Sequence, residues 1–367
     1  MANLFDPIRL GAIEAPNRIL MAPLTRGRAT LPGLIPNDVM RLYYEQRAGA
    51  GLIITEATGI SQEGLGWPKA PGIWTDAQVE GWKPIVEAVH KAGGRIMMQL
   101  WHMGRVVHSS FNDGKVGVSA SATKAPGQAH TLTGKQDYET ARPLELAEIP
   151  RLLADYAHAA ENAKKAGFDG VQIHSANGYL IDQFLRDNSN FRDDDYGGSI
   201  ENRIRLLKEV TETVTGIWGA DRTAVRLSPN GDSQGVDDSN PEALFSAAAA
   251  MLNDLGIAFL ELREPGPDGT FGRTDVPKQS PAIRRAFHGP LVLNSDLTGV
   301  SGNELVESGL ADAVSYGRPF IANPDLVARL EQGAALNQEK PMNWYLYNDP
   351  NEGYTDFPTL AEVQAAE

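Results

Sequence analysis

The sequence predicts an α/β fold, a (β/α)8 barrel of the TIM type with a long excursion after its third strand. Three observations carry this expectation. Eight short apolar runs recur along the chain, helical patterns separate them, and the residues just past each run are polar. Strand alternating with helix gives parallel βαβ units, and eight such units close into a barrel.

The apolar runs lie at 19–22, 52–55, 96–100, 170–173, 224–227, 258–262, 291–293 and 313–316. They are rich in Val, Ile and Leu without clean alternation, as strands buried on both faces are. Between them, Ile200, Ile204, Leu207, Val210, Val214 and Ile217 recur at steps of three or four, one apolar helical stripe. Ser199 is placed to cap that helix, with Glu201 favourable in its first turn. A second helix begins near Asp76 and stops at Gly93-Gly94. A third runs from about Ile149 to Lys165 and stops at Gly167, since glycine commonly ends helices. An open doubly wound sheet is the competing topology, but no Gly-x-Gly-x-x-Gly follows the first run.

The chain has 367 residues. That length would suggest several domains, but barrels of this kind commonly run long as one, and no linker, repeat or low-complexity tract divides this one. More than forty residues separate Trp101 from Glu148, rich in Ser, Gly, Thr and Lys. A connection this long is usually functional. It is expected to cover the C-terminal face of the barrel as a partial lid.

There are no cysteines, which excludes disulfides, thiolate metal sites, Fe–S clusters and a cysteine nucleophile. Thirty-three Lys and Arg against 47 Asp and Glu give a net charge of −14. That argues against nonspecific nucleic-acid or anionic-membrane binding. No apolar run approaches a membrane span, and Met1 to Pro7 lacks the pattern of a signal peptide, so a cytoplasmic location is expected. No seam or coiled-coil pattern fixes the oligomeric state, which is read as monomer or homodimer.

Catalytic residues of such barrels sit at the C-terminal strand ends. The fourth run ends in His174-Ser175-Ala176-Asn177-Gly178-Tyr179. If a helical turn starts there, His174 and Asn177 share one face and can grip a carbonyl or oxyanion with two N–H donors. Tyr179 offers a phenolic proton. A satisfied histidine with an Asn cap explains the same residues. Asn294 ends the seventh run and Gly317-Arg318 ends the eighth, where barrels often bind phosphate: the glycine lets backbone N–H groups approach and the arginine adds bidentate contacts. A glycine turn with a solvated arginine is the alternative. Arg226 ends the fifth run nearby. No His-Glu-x-x-His pair suggests a metal. A glycosidase using Glu56 with Glu261 or Glu264 is a competing enzyme class, as is a phosphate-binding aldolase. A barrel that binds a ligand without turnover is a third possibility.

Over nearly its whole length the sequence resembles the old yellow enzyme family. The resemblance rests on Asn17-Arg18 with Met21-Ala22-Pro23-Leu24-Thr25-Arg26, on Gln99-Leu100-Trp101-His102-Met103-Gly104-Arg105, on His174 to Phe184 and on Asp195-Tyr196-Gly197-Gly198-Ser199-Ile200-Glu201-Asn202-Arg203. The nearest subgroup resembles bacterial ene-reductases, including N-ethylmaleimide and nitrate-ester reductases. The resemblance implies a single FMN-binding barrel over residues 1–367 and NADPH or NADH as reductant. It implies reduction of the activated C=C bond of α,β-unsaturated carbonyl, imide or nitro compounds, with nitrate esters as a further class. It implies Pro23, Thr25, Ala57, Gln99 and Arg226 around the flavin ring, and Asn294, Gly317 and Arg318 along its phosphate end. His174 and Asn177 would hold the substrate oxygen, and Tyr179 would protonate the α-carbon. Trp101 would border the substrate, and so would Tyr345 or Tyr347, between which the choice is open. Many bacterial relatives carry a second histidine where this chain has Asn177. The Asp195–Arg203 segment is expected to be structural, tied down through Arg192 or Arg203.

Overall fold

The computed structural model describes residues 2–266, 269, 273–339 and 349–366. Eight parallel strands form the barrel: β1 (Ile19–Met21), β2 (Leu52–Ile54), β3 (Ile96–Trp101), β4 (Gly170–His174), β5 (Thr223–Leu227), β6 (Leu260–Arg263), β7 (Leu291–Asn294) and β8 (Ala313–Tyr316). Each pairs with its sequence neighbour, and β8 pairs with β1 through Val314 and Ile19, which closes the ring. The outer helices are α1 (Asp38–Glu45), α2 (Asp76–Lys91), α3 (Ile149–Ala166), α4 (Arg205–Trp218), α5 (Pro241–Asp254), α6 (Ser280–Ala286), α7 (Gly299–Glu307) and α8 (Leu326–Glu331). The closed barrel settles the topology against the open sheet. No helix among the described residues is long and apolar enough to cross a membrane.

The helix signals fold as their chemistry dictates. Thr75 and Gln78 form a capping box on α2, and α3 stops at Gly167. The Ser199 side chain accepts from Asn202 N. The stripe from Ile200 to Ile217 is interrupted at Ile204, where ψ is −7°, giving a short Ile200–Arg203 turn before α4. At this bend Arg203 turns inward, onto Asp238 at 2.5 Å and the Leu185 carbonyl. Arg192 makes its own pair with Asp194 and reaches the Ala120 and Leu144 carbonyls. Both arginines therefore tie this segment down.

Side chains alternate across a strand, and the core separates accordingly. Ile19, Met21, Ile53, Met98, Leu100, Val225, Leu227 and Val314 pack with helix residues such as Val86 and Leu152 in one cluster. Leu20, Leu52, Ile54, Met97, Ala224, Val292 and Ala313 form a second, with Leu10 and Ile13 of an N-terminal hairpin. The second cluster is the barrel interior, which the hairpin plugs at the N-terminal end. Continuing the same alternation toward the C-terminal ends points Gln99, Trp101, Gln172, His174, Arg226, Glu261, Arg263, Asn294 and Ser315 inward. An apolar floor thus carries a polar layer above it.

Strands β3, β4, β6 and β7 run on to Trp101, His174, Arg263 and Asn294, past the ends expected from the apolar runs. These residues are held in the sheet, with His174 opposite Arg226 and Arg263 opposite Asn294. The excursion after β3 contains the hairpin Gln128–Thr131/Gly134–Asp137. It packs Val106, Val107, Ala125, Ala129 and Tyr138 with Ala57, Trp101 and Tyr179. The expected lid is therefore present at the C-terminal end.

Candidate active site

One buried carboxylate organises the polar layer. Glu261 is fully buried. Its Oε2 accepts from Gln172 Nε2 at 2.8 Å and from Arg226 Nη1 at 3.0 Å, and its Oε1 accepts from Ser315 Oγ at 2.5 Å. Gln172 Oε1 in turn accepts from Gln99 Nε2 at 2.7 Å. A carboxylate only accepts, so it fixes Gln172, and Gln172 fixes Gln99 with Oε1 as its remaining acceptor. Arg226 Nη2 donates to Asn294 Oδ1 at 2.7 Å, and Asn294 Nδ2 donates to the Ser315 carbonyl at 2.8 Å. Asn294 thus turns its side chain to Arg226 and β8.

The glycosidase reading loses its acids here. Glu261 is committed to Arg226. Glu56 accepts from the backbone of Arg26 and Gly27 and from Tyr44, and Glu264 caps the backbone at Gln279 and Ser280. Glu56 instead fixes the loop that follows Thr25. That loop is also clamped by the C-terminal segment: Arg26 donates to the Gly353 carbonyl, and Tyr43 stacks on Tyr354 with ring centroids 4.0 Å apart.

Above this layer stands an aromatic group. The His174 ring lies nearly parallel to Trp101, 17° between planes and 6.3 Å between centroids. Tyr179 meets both rings edge-on at 4.9 Å. Ala176 N points at His174 Nδ1 from 3.4 Å, so Nδ1 accepts and the proton of the neutral ring sits on Nε2. Burial, then the charges of Arg226 and Arg263, pushes His174 well below the ordinary histidine value of 6.5. All three causes disfavour the cation, so the neutral ring prevails at about pH 6–8. Binding of an oxygen-bearing ligand is expected to show no titration of this ring across that range. Spectral titration at fixed ionic strength checks this. A step near 6.5 that vanishes in His174→Asn would contradict it. Burial, then Tyr138, also pushes the Tyr179 phenol up, so it keeps its proton.

His174 and Asn177 do not share a helical face. Asn177 has φ +60° and Gly178 φ +76°, a left-handed turn, and the helix starts only at Leu180. Asn177 N donates to Ser228 Oγ at 2.7 Å and Gly178 N to Asp182 Oδ2 at 2.9 Å. Gly178 is required here, because a Cβ would lie 2.4 Å from the Ser233 carbonyl oxygen. Arg263 Nη1 donates to Asn177 Oδ1.

The remaining predicted residues ring the same strand ends. Pro23 and Thr25 follow β1, half-buried, and Ala57 follows β2, buried. Gly317 follows β8, and the nearest atoms a Cβ there would meet are Leu24 side-chain carbons, at 3.4 Å or more. Arg318 pairs with Asp296 at 2.8 Å. Tyr345 and Tyr347 lie outside the described residues. The arrangement fits a flavin. Gln99 offers an acceptor suited to the pyrimidine N–H. Arg226 Nε and Trp101 Nε1 are buried donors with no partner among the described residues, as in a site whose acceptors come from a ligand.

Residue-by-residue reading assigned no role to Gln172, Ser228, Asp182 or Arg263. The signal for the first was present: a polar residue inside the apolar Val171-Gln172-Ile173 must find a partner. Arg263 and Asn177 meet only through the pairing of β4, β5 and β6.

A closed parallel barrel with this donor set at its C-terminal mouth defines a barrel flavoprotein oxidoreductase. Residues 3–337 match the family model described as NADH:flavin oxidoreductase / NADH oxidase family. The fold is similar to that of the old yellow enzyme homologue from Zymomonas mobilis, 60% identical with a TM-score of 0.95, covering 98% of this chain and 100% of that one. It is also similar to morphinone reductase in complex with tetrahydroNAD, 43% identical with a TM-score of 0.91, covering 98% of each chain. A putative 12-oxophytodienoate reductase 11 from Oryza sativa subsp. japonica is 43% identical over 362 residues, 98% of each chain. The chain belongs to the NADH:flavin oxidoreductase family, that of the old yellow enzymes. It is an NAD(P)H-dependent oxidoreductase that uses FMN.

Proposed function

We propose that the protein is an ene-reductase acting on α,β-unsaturated carbonyl, imide or nitro compounds, with nitrate esters as a further class. The observation that carries this reading is the buried His174, whose Nδ1 accepts from Ala176 N, set beside Trp101 and Tyr179. FMN, when bound, would supply the redox chemistry, carrying a hydride from NAD(P)H to the β-carbon of the alkene. Pro23, Thr25, Ala57, Gln99 and Arg226 would hold the ring end, with Gly317 and Arg318 toward the phosphate and Asn294 holding Arg226. His174 Nε2–H and Asn177 Nδ2–H donate to the activating oxygen and stabilise the negative charge that develops on it. Tyr179 gives its phenolic proton to the α-carbon and recovers one from water. Trp101 borders the substrate. For the alkenes the balance is one hydride and one proton added across one C=C bond.

The direct test is a purified preparation, its visible spectrum, and a panel of enones, maleimides and nitroalkenes with each reduced nicotinamide. A folded, colourless sample that takes up no FMN, or a flavin-loaded one that reduces none of these alkenes, overturns the reading. Tyr179→Phe is expected to retain hydride transfer, because the hydride does not pass through the phenol. Its proton delivery should become slower and dependent on buffer. Stopped-flow flavin reoxidation with the product's deuterium content in D2O measures both. Loss of hydride transfer itself would remove Tyr179 from the proton-donor role.

A further inference from the structure

A carboxamide is nearly symmetric in shape but not in chemistry, since one end donates and the other accepts. Which end of Asn177 faces the substrate is therefore decided by whatever holds the other end. That partner is Arg263, the last residue of β6, whose Nη1 donates to Asn177 Oδ1. A guanidinium has no acceptor. Flipping the amide would set N–H against N–H⁺, so the contact admits one orientation only, with Nδ2 left to donate elsewhere. The backbone gives the side chain little freedom to escape. Asn177 is held at φ +60° with its N–H on Ser228 Oγ, and the sheet fixes Arg263 opposite Asn294.

We propose that Arg263 is a positioning and specificity-determining residue: it locks Asn177 with Nδ2–H toward the substrate oxygen and demands an uncharged acceptor at position 177. This rests on the reading of His174 and Asn177 as the oxygen clamp. The charged and titratable groups facing Arg263 are Arg226, Tyr179, Asp296, Glu261 and His174. Burial and Arg226 push Arg263 down to about 9, which still leaves it a cation at neutral pH. A protonated histidine at 177 would meet that cation directly. The pairing therefore gives a physical reason for asparagine at this position.

The test uses the FMN-loaded enzyme and 4-chlorophenol, whose phenolate oxygen competes for the same donors. Binding is read from the long-wavelength absorbance of a phenolate stacked on oxidised flavin, not from turnover. Arg263→Met is expected to weaken phenolate binding about tenfold, the worth of one oriented donor, and to raise the pH at which the bound phenol ionises. Arg263→Lys, which still donates to Oδ1, should restore most of the affinity. In an Asn177→Ala background Arg263→Met should cost less than about twofold more, because the two residues act as one unit. If Arg263→Met leaves binding unchanged, or costs as much in the Asn177→Ala background as in the wild type, the inference falls while the clamp reading stands. If His174→Ala and Asn177→Ala also leave phenolate binding unchanged, the clamp reading falls and takes the inference with it. Should Arg263→Met fail to hold flavin, the Arg263→Lys and Arg263→Gln pair decides instead. Equal affinity in that pair overturns the proposal, and a loss confined to Gln, whose amide can itself turn either way, supports it.

Discussion

Replacing His174 by alanine is expected to slow alkene reduction by about 10²–10³-fold, the usual cost of losing one donor aimed at developing negative charge. Reduction of the flavin by NAD(P)H should slow far less, since no comparable oxyanion forms on the nicotinamide. The size of the effect follows from the surroundings. The ring is buried, its Nδ1 accepts from Ala176 N, and Tyr179 meets both it and Trp101 edge-on. Anaerobic stopped-flow on each half-reaction separates the two steps, and the flavin spectrum reports whether the site is intact. Equal slowing of both half-reactions would reject the assigned role. Loss of the alkene step with flavin reduction preserved would support it.

Asp182→Ala should strongly lower stability while leaving every proposed catalytic residue in place. Asp182 and Arg186 form an ion pair at 2.8 Å in which neither side chain is exposed. Removing the acid strands a buried cation, at a cost of about 3–5 kcal/mol. The apparent Tm should fall by roughly 10 °C, monitored by circular dichroism with FMN at a fixed concentration. The same carboxylate holds Gly178 N and faces Ser228 Oγ at 3.4 Å, and Ser228 Oγ holds Asn177 N. The variant should therefore also slow the alkene half-reaction at temperatures where it is still folded. Glu87→Ala, which breaks an exposed pair with Lys91, should do neither. A wild-type Tm in Asp182→Ala would show that Arg186 is satisfied by its other contacts, among them the Ser228 carbonyl at 2.5 Å.

The barrel itself was legible, because eight apolar runs at barrel spacing leave few other topologies. The helix ends at Thr75, Gly167 and Ser199 were legible for local reasons, since caps act within a few residues. The rim positions of His174, Arg226 and Asn294 followed from the rule that strand ends carry chemistry. Spacing suggested a helical turn with His174 and Asn177 on one face, but the chain makes a left-handed turn there, held by Ser228 and Asp182. Contacts such as Arg263 to Asn177 and Glu261 to Gln172 span about ninety residues and depend on strand register. No local pattern encodes register. It follows from closure, which only the assembled sheet defines.

The two-sided alternation of the strands also sets what evolution can vary. In β4, Gln172 and His174 face the interior while Val171 and Ile173 face the helices. Inserting or deleting one residue within that strand would exchange the two sets, replacing the site by aliphatic side chains and pushing polar ones into the helix layer. Heritable change in length is therefore confined to the connections, such as the excursion after β3. New substrate preferences can be gained there without disturbing the polar layer beneath.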